Sequence, residues 1–84
     1  MVEVIYEERF QRLFSKIKDK SFKEKIIKQI SKIKLNPEVG KPMRNVRKGT
    51  RELHIKPFRL SYAYLKDKNI VYVLDIYHKD EQRA

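Results

Sequence analysis

The spacing of apolar residues changes between helical and strand periods along this chain, and those changes limit the folds open to it. Phe10, Leu13, Phe14 and Ile17 recur at i, i+3, i+4 and i+7, the signature of one helical face. Phe22, Ile26, Ile30 and Ile33 continue at helical spacing, thickened by Ile27, with Lys23, Lys25, Lys28 and Lys32 on the flanks. Beyond Arg51 the period drops to two. Leu53 and Ile55 alternate with Glu52, His54 and Lys56, and Leu60, Tyr62 and Tyr64 alternate with Arg59, Ser61 and Ala63. Helices followed by strands, rather than helices alternating with them, give an α+β domain.

Local signals set the boundaries. Val2 to Tyr6 reads as a short strand, and a first helix follows from Glu8. Asp19-Lys20 interrupts it, and Ser21-Phe22-Lys23-Glu24 has the Ser-x-x-Glu form of a capping box, which starts a second helix there. Asn36-Pro37 ends that helix, because the residue before proline is pushed out of the helical region. Residues 36–50 hold both glycines, two of the three prolines and the cations Lys41, Arg44, Arg47 and Lys48, and read as a basic loop. Three strands are then expected, Arg51 to Lys56, Phe58 to Lys66 and Ile70 to Tyr77, broken at Pro57 and at the turn Lys66-Asp67-Lys68-Asn69. Ile70 to Leu74 is apolar on both faces, so this strand belongs inside the sheet. The expectation is β-α-α-β-β-β: an N-terminal strand, a two-helix hairpin and a three-stranded antiparallel sheet, as one domain over residues 1–84.

Composition narrows the functions. A chain of 84 residues has room for one small core. With no cysteine it has no disulfide and no Cys-based zinc site, and its two histidines alone make a poor metal site, so neither metal nor cofactor is expected. No apolar run approaches the roughly 18 to 20 residues that span a bilayer. None near Met1 has the length of a signal-peptide core, and a cytoplasmic location is expected. The 40% hydrophobic content is periodic, which argues for folding. A net charge of +10 then asks for a polyanion, most often nucleic acid, with a lysine-rich solubilising surface as the plainer reading.

One face of the expected sheet is polar. It carries Glu52, His54 and Lys56 from one strand and Arg59 and Ser61 from the next. Asp75 and Tyr77 share a side of the last strand, with His78 and Lys79 at its end. Such groups can meet in a shallow cleft rimmed by residues 41–48. The loop cations Lys41, Arg44, Arg47 and Lys48 suit RNA backbone contact, because several flexible cations add salt-dependent affinity without base choice.

The basic loop before Arg51-Glu52-Leu53-His54-Ile55, the run Pro57-Phe58-Arg59-Leu60-Ser61-Tyr62 and the ending Tyr77-His78-Lys79-Asp80-Glu81-Gln82 resemble the RelE/ParE toxin superfamily. The likeness covers nearly the whole chain. Its sharpest element is aromatic-Arg-Leu-x-Tyr, similar to Tyr-Arg-Leu-Val-Tyr in RelE and His-Arg-Leu-Val-Tyr in YoeB. The resemblance implies the toxin of a type II toxin-antitoxin system, held by an acidic, RelB-like antitoxin. It further implies an endoribonuclease that cleaves mRNA in the ribosomal A site without metal, with mRNA and rRNA as partners, by attack of a ribose 2′-hydroxyl on the adjacent phosphate. Carried over by position, Arg59 matches the phosphate-binding arginine, Lys79 a catalytic arginine, His78 the general acid of YoeB and Tyr77 the tyrosine before it.

Two departures matter. Where RelE has two lysines on one strand this chain has Glu52 and His54, either of which can accept a proton. RelE's stacking tyrosine has no counterpart by Ala84, so either Tyr77 stacks the base or RNA is held less well. Two other functions fit the scaffold: a ParE-like inhibitor that binds DNA gyrase, and a plain RNA-binding module. Arg59, His78 and Lys79 together favour the nuclease, since an inhibitor needs no acid at that strand end.

Overall fold

The computed structural model describes residues 1–44 and 48–81. The elements run β1 (Glu3–Tyr6), α1 (Glu8–Lys16), α2 (Lys20–Leu35), β2 (Lys41–Pro42), β3 (Arg51–Ile55), β4 (Phe58–Leu65) and β5 (Ile70–His78), then a 3-10 turn at Lys79–Glu81. The α+β expectation holds, but the sheet has five strands rather than three, in the order β1-β5-β4-β3-β2. β2 lies inside the stretch expected to be loop. Lys41 pairs with Glu52 and Pro42 with Arg51, and Pro42 fits because an edge strand need not donate from every residue. The sheet is also not wholly antiparallel: β1 runs parallel to β5, since two helices separate β1 from the later strands and carry the chain across.

The helix starts differ from expectation as well. α2 begins at Lys20, and its cap is Asp19, whose carboxylate accepts from the Phe22 amide at 3.2 Å. Ser21 lies within the first turn, so the Ser21/Glu24 capping box does not form the start. At the other end Asn36 closes the helix as expected, its amide donating to Lys32 O at 2.9 Å.

The core lies on one face of the sheet. Phe10 of α1 and Ile26, Ile30 and Ile33 of α2 cluster with Leu60, Tyr62, Val71, Val73 and Ile76. Ile27, expected to thicken this stripe, is 53% exposed, because it lies on the α2 flank beside β1 and α1, at an apolar recess shared with Val4, Ile5 and Phe14.

One irregularity governs the site. Ser61 pairs with Asp75 but Tyr62 pairs with Val73, so Leu74 is an extra residue and β5 carries a bulge. Before it, Val71 and Val73 face the helices. After it the parity is reversed, so Ile76 and His78 face the helices while Asp75 and Tyr77 take the open face.

Tyr62 fixes the edge of the open face. Fully buried, its hydroxyl donates to Pro37 O and accepts from Gly40 N, both at 2.8 Å. A Cβ on Gly40 would stand 2.7 Å from the Tyr62 ring, so the chain passes there only as glycine. Arg51 donates to Glu38 O at 3.0 Å and Gly40 O at 2.8 Å. The turn feeding β2 is thereby tied to β3 and β4.

Candidate functional site

The open face centres on a buried carboxylate. Glu52, only 3% exposed, accepts from the Tyr77 hydroxyl and has Arg59 Nη1 3.7 Å from its Oε1. Burying a carboxylate is costly unless it is paired, and these two partners meet the need. The geometry follows from register: Glu52 lies opposite Ser61 and Arg59 opposite Tyr77, so the three side chains share a face across three strands. Arg59 keeps a quarter of its side chain exposed.

Around this pair is an open groove of about 580 Å³, lined by Lys41, Pro42, Met43, Arg44, Glu52, His54 and Arg59. Three permanent cations face one buried carboxylate, so the groove favours an anion. A second recess of about 350 Å³ adjoins it, lined by His54, Lys56, Pro57, Phe58, Arg59 and Lys79. His54 and Arg59 line both, and they are direct cross-strand partners. Lys79 is held there because its amide donates to Pro57 O at 2.9 Å, at the turn between β3 and β4.

Several expected residues are placed otherwise. His78 is the clearest. It pairs with Phe58 on the helix-facing side, its ring meeting Phe58 edge-on at 5.3 Å, while Phe58 packs on Phe22 of α2 at 4.7 Å. Its Nδ1 accepts from the Asp80 amide at 3.1 Å and lies 3.5 Å from the Asp80 carboxylate. The bulge at Leu74 is the reason: it turns His78 away from Arg59. Tyr77 does face the groove side, but at 6% exposure its ring has no free face on which to stack a base. Glu52 is similarly enclosed, which suits a group that orients Arg59 better than one that takes a proton from substrate. Lys48 is exposed but does not line the groove. Arg47 and Gln82 lie outside the described residues.

Other residues of the site were not foreseen. Met43 and Pro42 wall the groove, and Arg51 anchors the turn behind it. Asp75, expected in the cleft, does not line the groove: its Oδ1 is 3.3 Å from Arg9 Nε, and among the described residues neither that oxygen nor the buried hydroxyl of its cross-strand partner Ser61 has an aligned hydrogen bond. The sequence signal for Met43 was its place between Lys41 and Arg44; nothing in the sequence pointed to Arg9. Among the described residues, no three His, Asp or Glu side chains gather as metal ligands, and no helix is long and apolar enough to cross a membrane.

This architecture is shared. The toxin of the intact E. coli RelBE toxin-antitoxin complex superposes with a TM-score of 0.80 at 15% identity, covering 99% of this chain and 100% of that one. The RelBE2 complex of Mycobacterium tuberculosis gives 0.80 at 21% identity, covering 93% and 98%. The archaeal RelE-RelB complex of Pyrococcus horikoshii gives 0.76 at 9% identity, covering 96% and 98%. At such identities the likeness is one of fold, and the fold is that of the RelE/ParE toxin superfamily. In sequence, residues 4–83 match the family described as the ParE toxin of type II toxin-antitoxin systems, parDE, and the chain belongs to that family. No curated protein matches it in sequence.

Proposed function

We propose that this toxin is an endoribonuclease that cleaves mRNA in the ribosomal A site, with the scissile phosphate bound between Arg59 and His54. The observation that carries the reading is the juxtaposition of these two side chains, cross-strand partners where two cation-lined recesses meet. In the proposed reaction a ribose 2′-hydroxyl attacks the adjacent phosphate, giving a 2′,3′-cyclic phosphate and releasing the 5′-oxygen. His54, an exposed imidazole, takes the 2′-hydroxyl proton. Arg59 and Lys79 meet the charge that builds on the phosphate, and the leaving oxygen regains a proton from Lys79 or water. Glu52 and Tyr77 hold Arg59 in place. Lys41, Arg44 and Lys56 contact the RNA backbone, and the chemistry needs no metal.

The same positive groove suits an acidic, RelB-like antitoxin as inhibitor, in keeping with the complexes of the similar folds. A short acidic reading frame beside the gene is expected. The cytoplasm, where ribosomes and mRNA meet, is the location this function requires.

A second reading has its own support. His78, one of the three residues that favoured a nuclease over a ParE-like gyrase inhibitor, faces away from the groove, and the matching family bears the ParE name. One experiment separates the two. Purified protein is incubated with translating ribosomes, with cuts mapped by primer extension, and in parallel with gyrase and relaxed plasmid. Cleavage at A-site codons that is lost in Arg59→Ala and His54→Ala supports the nuclease. A block of supercoiling without cleavage supports the inhibitor and overturns it.

A further inference from the structure

α2 carries six lysines and a single glutamate, and they are not evenly spread. Lys25, Lys28, Gln29 and Lys32 stand at i, i+3, i+4 and i+7, which places them on one face. With Ile55 and Lys56 they line a shallow recess of about 240 Å³. Lys56 also lines the recess of His54, Arg59 and Lys79, and His54 and Arg59 line the main groove. The depressions form one track, from Lys41 and Arg44 past Arg59, around the β3–β4 turn and onto α2.

Charge along the outer half of this track has one sign. Lys25, Lys28, Lys32 and Lys56 are exposed, and none pairs with a carboxylate of the described residues. Glu24 precedes Lys28 by one turn without forming an ion pair. A solvated helix surface ordinarily mixes signs at i, i+4, where opposite charges help and like charges cost a few tenths of a kcal/mol. Here like charges are stacked where a polyanion would relieve them. From Lys25 to Lys32 the helix rises about 10 Å, enough to meet successive phosphates rather than one.

We propose that this face of α2, with Lys56, is a second RNA-binding surface, which holds the backbone of the strand flanking the segment bound in the groove. The proposal rests on the reading of the groove as an RNA site. RNA is favoured over an acidic peptide because the α2 recess shares Lys56 with the recess of His54, Arg59 and Lys79, where the scissile phosphate is proposed to sit. Lysine ammoniums act on phosphates as point charges, so this surface adds affinity without base choice.

The test uses the full chain and the variant Lys25→Gln/Lys28→Gln/Lys32→Gln, whose glutamines keep helix propensity, with folding checked by circular dichroism. Binding is measured against salt for 2′-O-methyl RNA, which lacks the attacking hydroxyl, in strands of about four and about sixteen nucleotides, the span of small single-strand sites. The longer strand should lose about tenfold in affinity, with the log-log salt slope falling by about 2 for three lost phosphate contacts. The short strand should bind unchanged. An unchanged slope on the longer strand, or equal losses on both lengths, overturns the proposal. If the short strand binds in an Arg59-dependent way while the triple variant holds the long strand normally, the α2 surface alone fails. If wild type binds neither strand, or Arg59→Ala leaves the short strand untouched, the groove reading fails and takes this one with it. Loss of polyglutamate binding with RNA binding intact would assign the surface to an acidic polypeptide, and also overturns it.

Discussion

The two faces of the sheet are built from the same strands and held by different physics. On the helix side Leu60, Tyr62, Val71, Val73 and Ile76 are apolar bodies whose burial is non-directional, so each tolerates small shifts of its neighbours. On the open side Glu52 and Tyr77 are buried and Arg59 is partly so, and these polar groups depend on one another's positions. The first face makes the fold and the second uses it. His78 and Tyr77, adjacent in sequence, belong to different faces, and the bulge at Leu74 separates their roles.

Substitutions that act on one face and spare the other test this division. The largest effect is expected on the packed face, where Leu60→Ala should cost about 2 to 5 kcal/mol in urea unfolding by opening a cavity. On the open face Arg59→Ala and His54→Ala should each lower mRNA cleavage about a hundredfold, near 2.7 kcal/mol. The unfolding midpoint should stay almost unmoved in His54→Ala, while Arg59→Ala also loses stability because it takes one of two partners from the buried Glu52. A loss of stability in His54→Ala comparable to that of Leu60→Ala would break the division.

Tyr62 joins the faces, and Tyr62→Phe should cost about 1 to 3 kcal/mol by leaving the Gly40 amide and Pro37 carbonyl without their partner. Burial also raises the Tyr62 phenol above its ordinary 10.0. In the unfolded chain it ionises near 10 while in the fold it keeps its proton. Its contribution is thus whole below about pH 10 and is lost as pH climbs through the folded value. Wild type should lose more stability than Tyr62→Phe between neutral and strongly alkaline pH, and equal losses would contradict this. The smallest effect sharpens the comparison most: His78→Ala should change cleavage less than about threefold, within what a residue outside the proton transfers allows. A hundredfold loss there would return His78 to the chemistry.

The sequence carried much of this because helix and strand periods are local. The stripe Phe10, Ile26, Ile30 and Ile33 and the alternation in β3 and β4 each show in a few neighbouring residues, so the α+β class, the order of the elements other than β2 and the polar face with Glu52, His54 and Arg59 were all legible. The family likeness added the toxin class, which the match over residues 4–83 supports. What escaped is non-local. The parallel partner of β1 and the short β2 exist only through pairing with β5 and β3. Ile27 fell on the wrong side of its stripe because helical spacing gives an angle without saying how wide the covering layer is.

Residues alone decided that this chain makes helices and strands in this order, buries an isoleucine-rich face and carries ten excess positive charges. The tertiary structure decided where those charges count. Ile70 to Leu74 is apolar at every position, so nothing local fixes which residues of β5 face inward. Only the pairing with β4, by placing one extra residue opposite Ser61 and Tyr62, sends Asp75 and Tyr77 to the open face and His78 to Phe58. A shift of one residue reverses a strand's faces, and whether it occurs depends on the neighbouring strand.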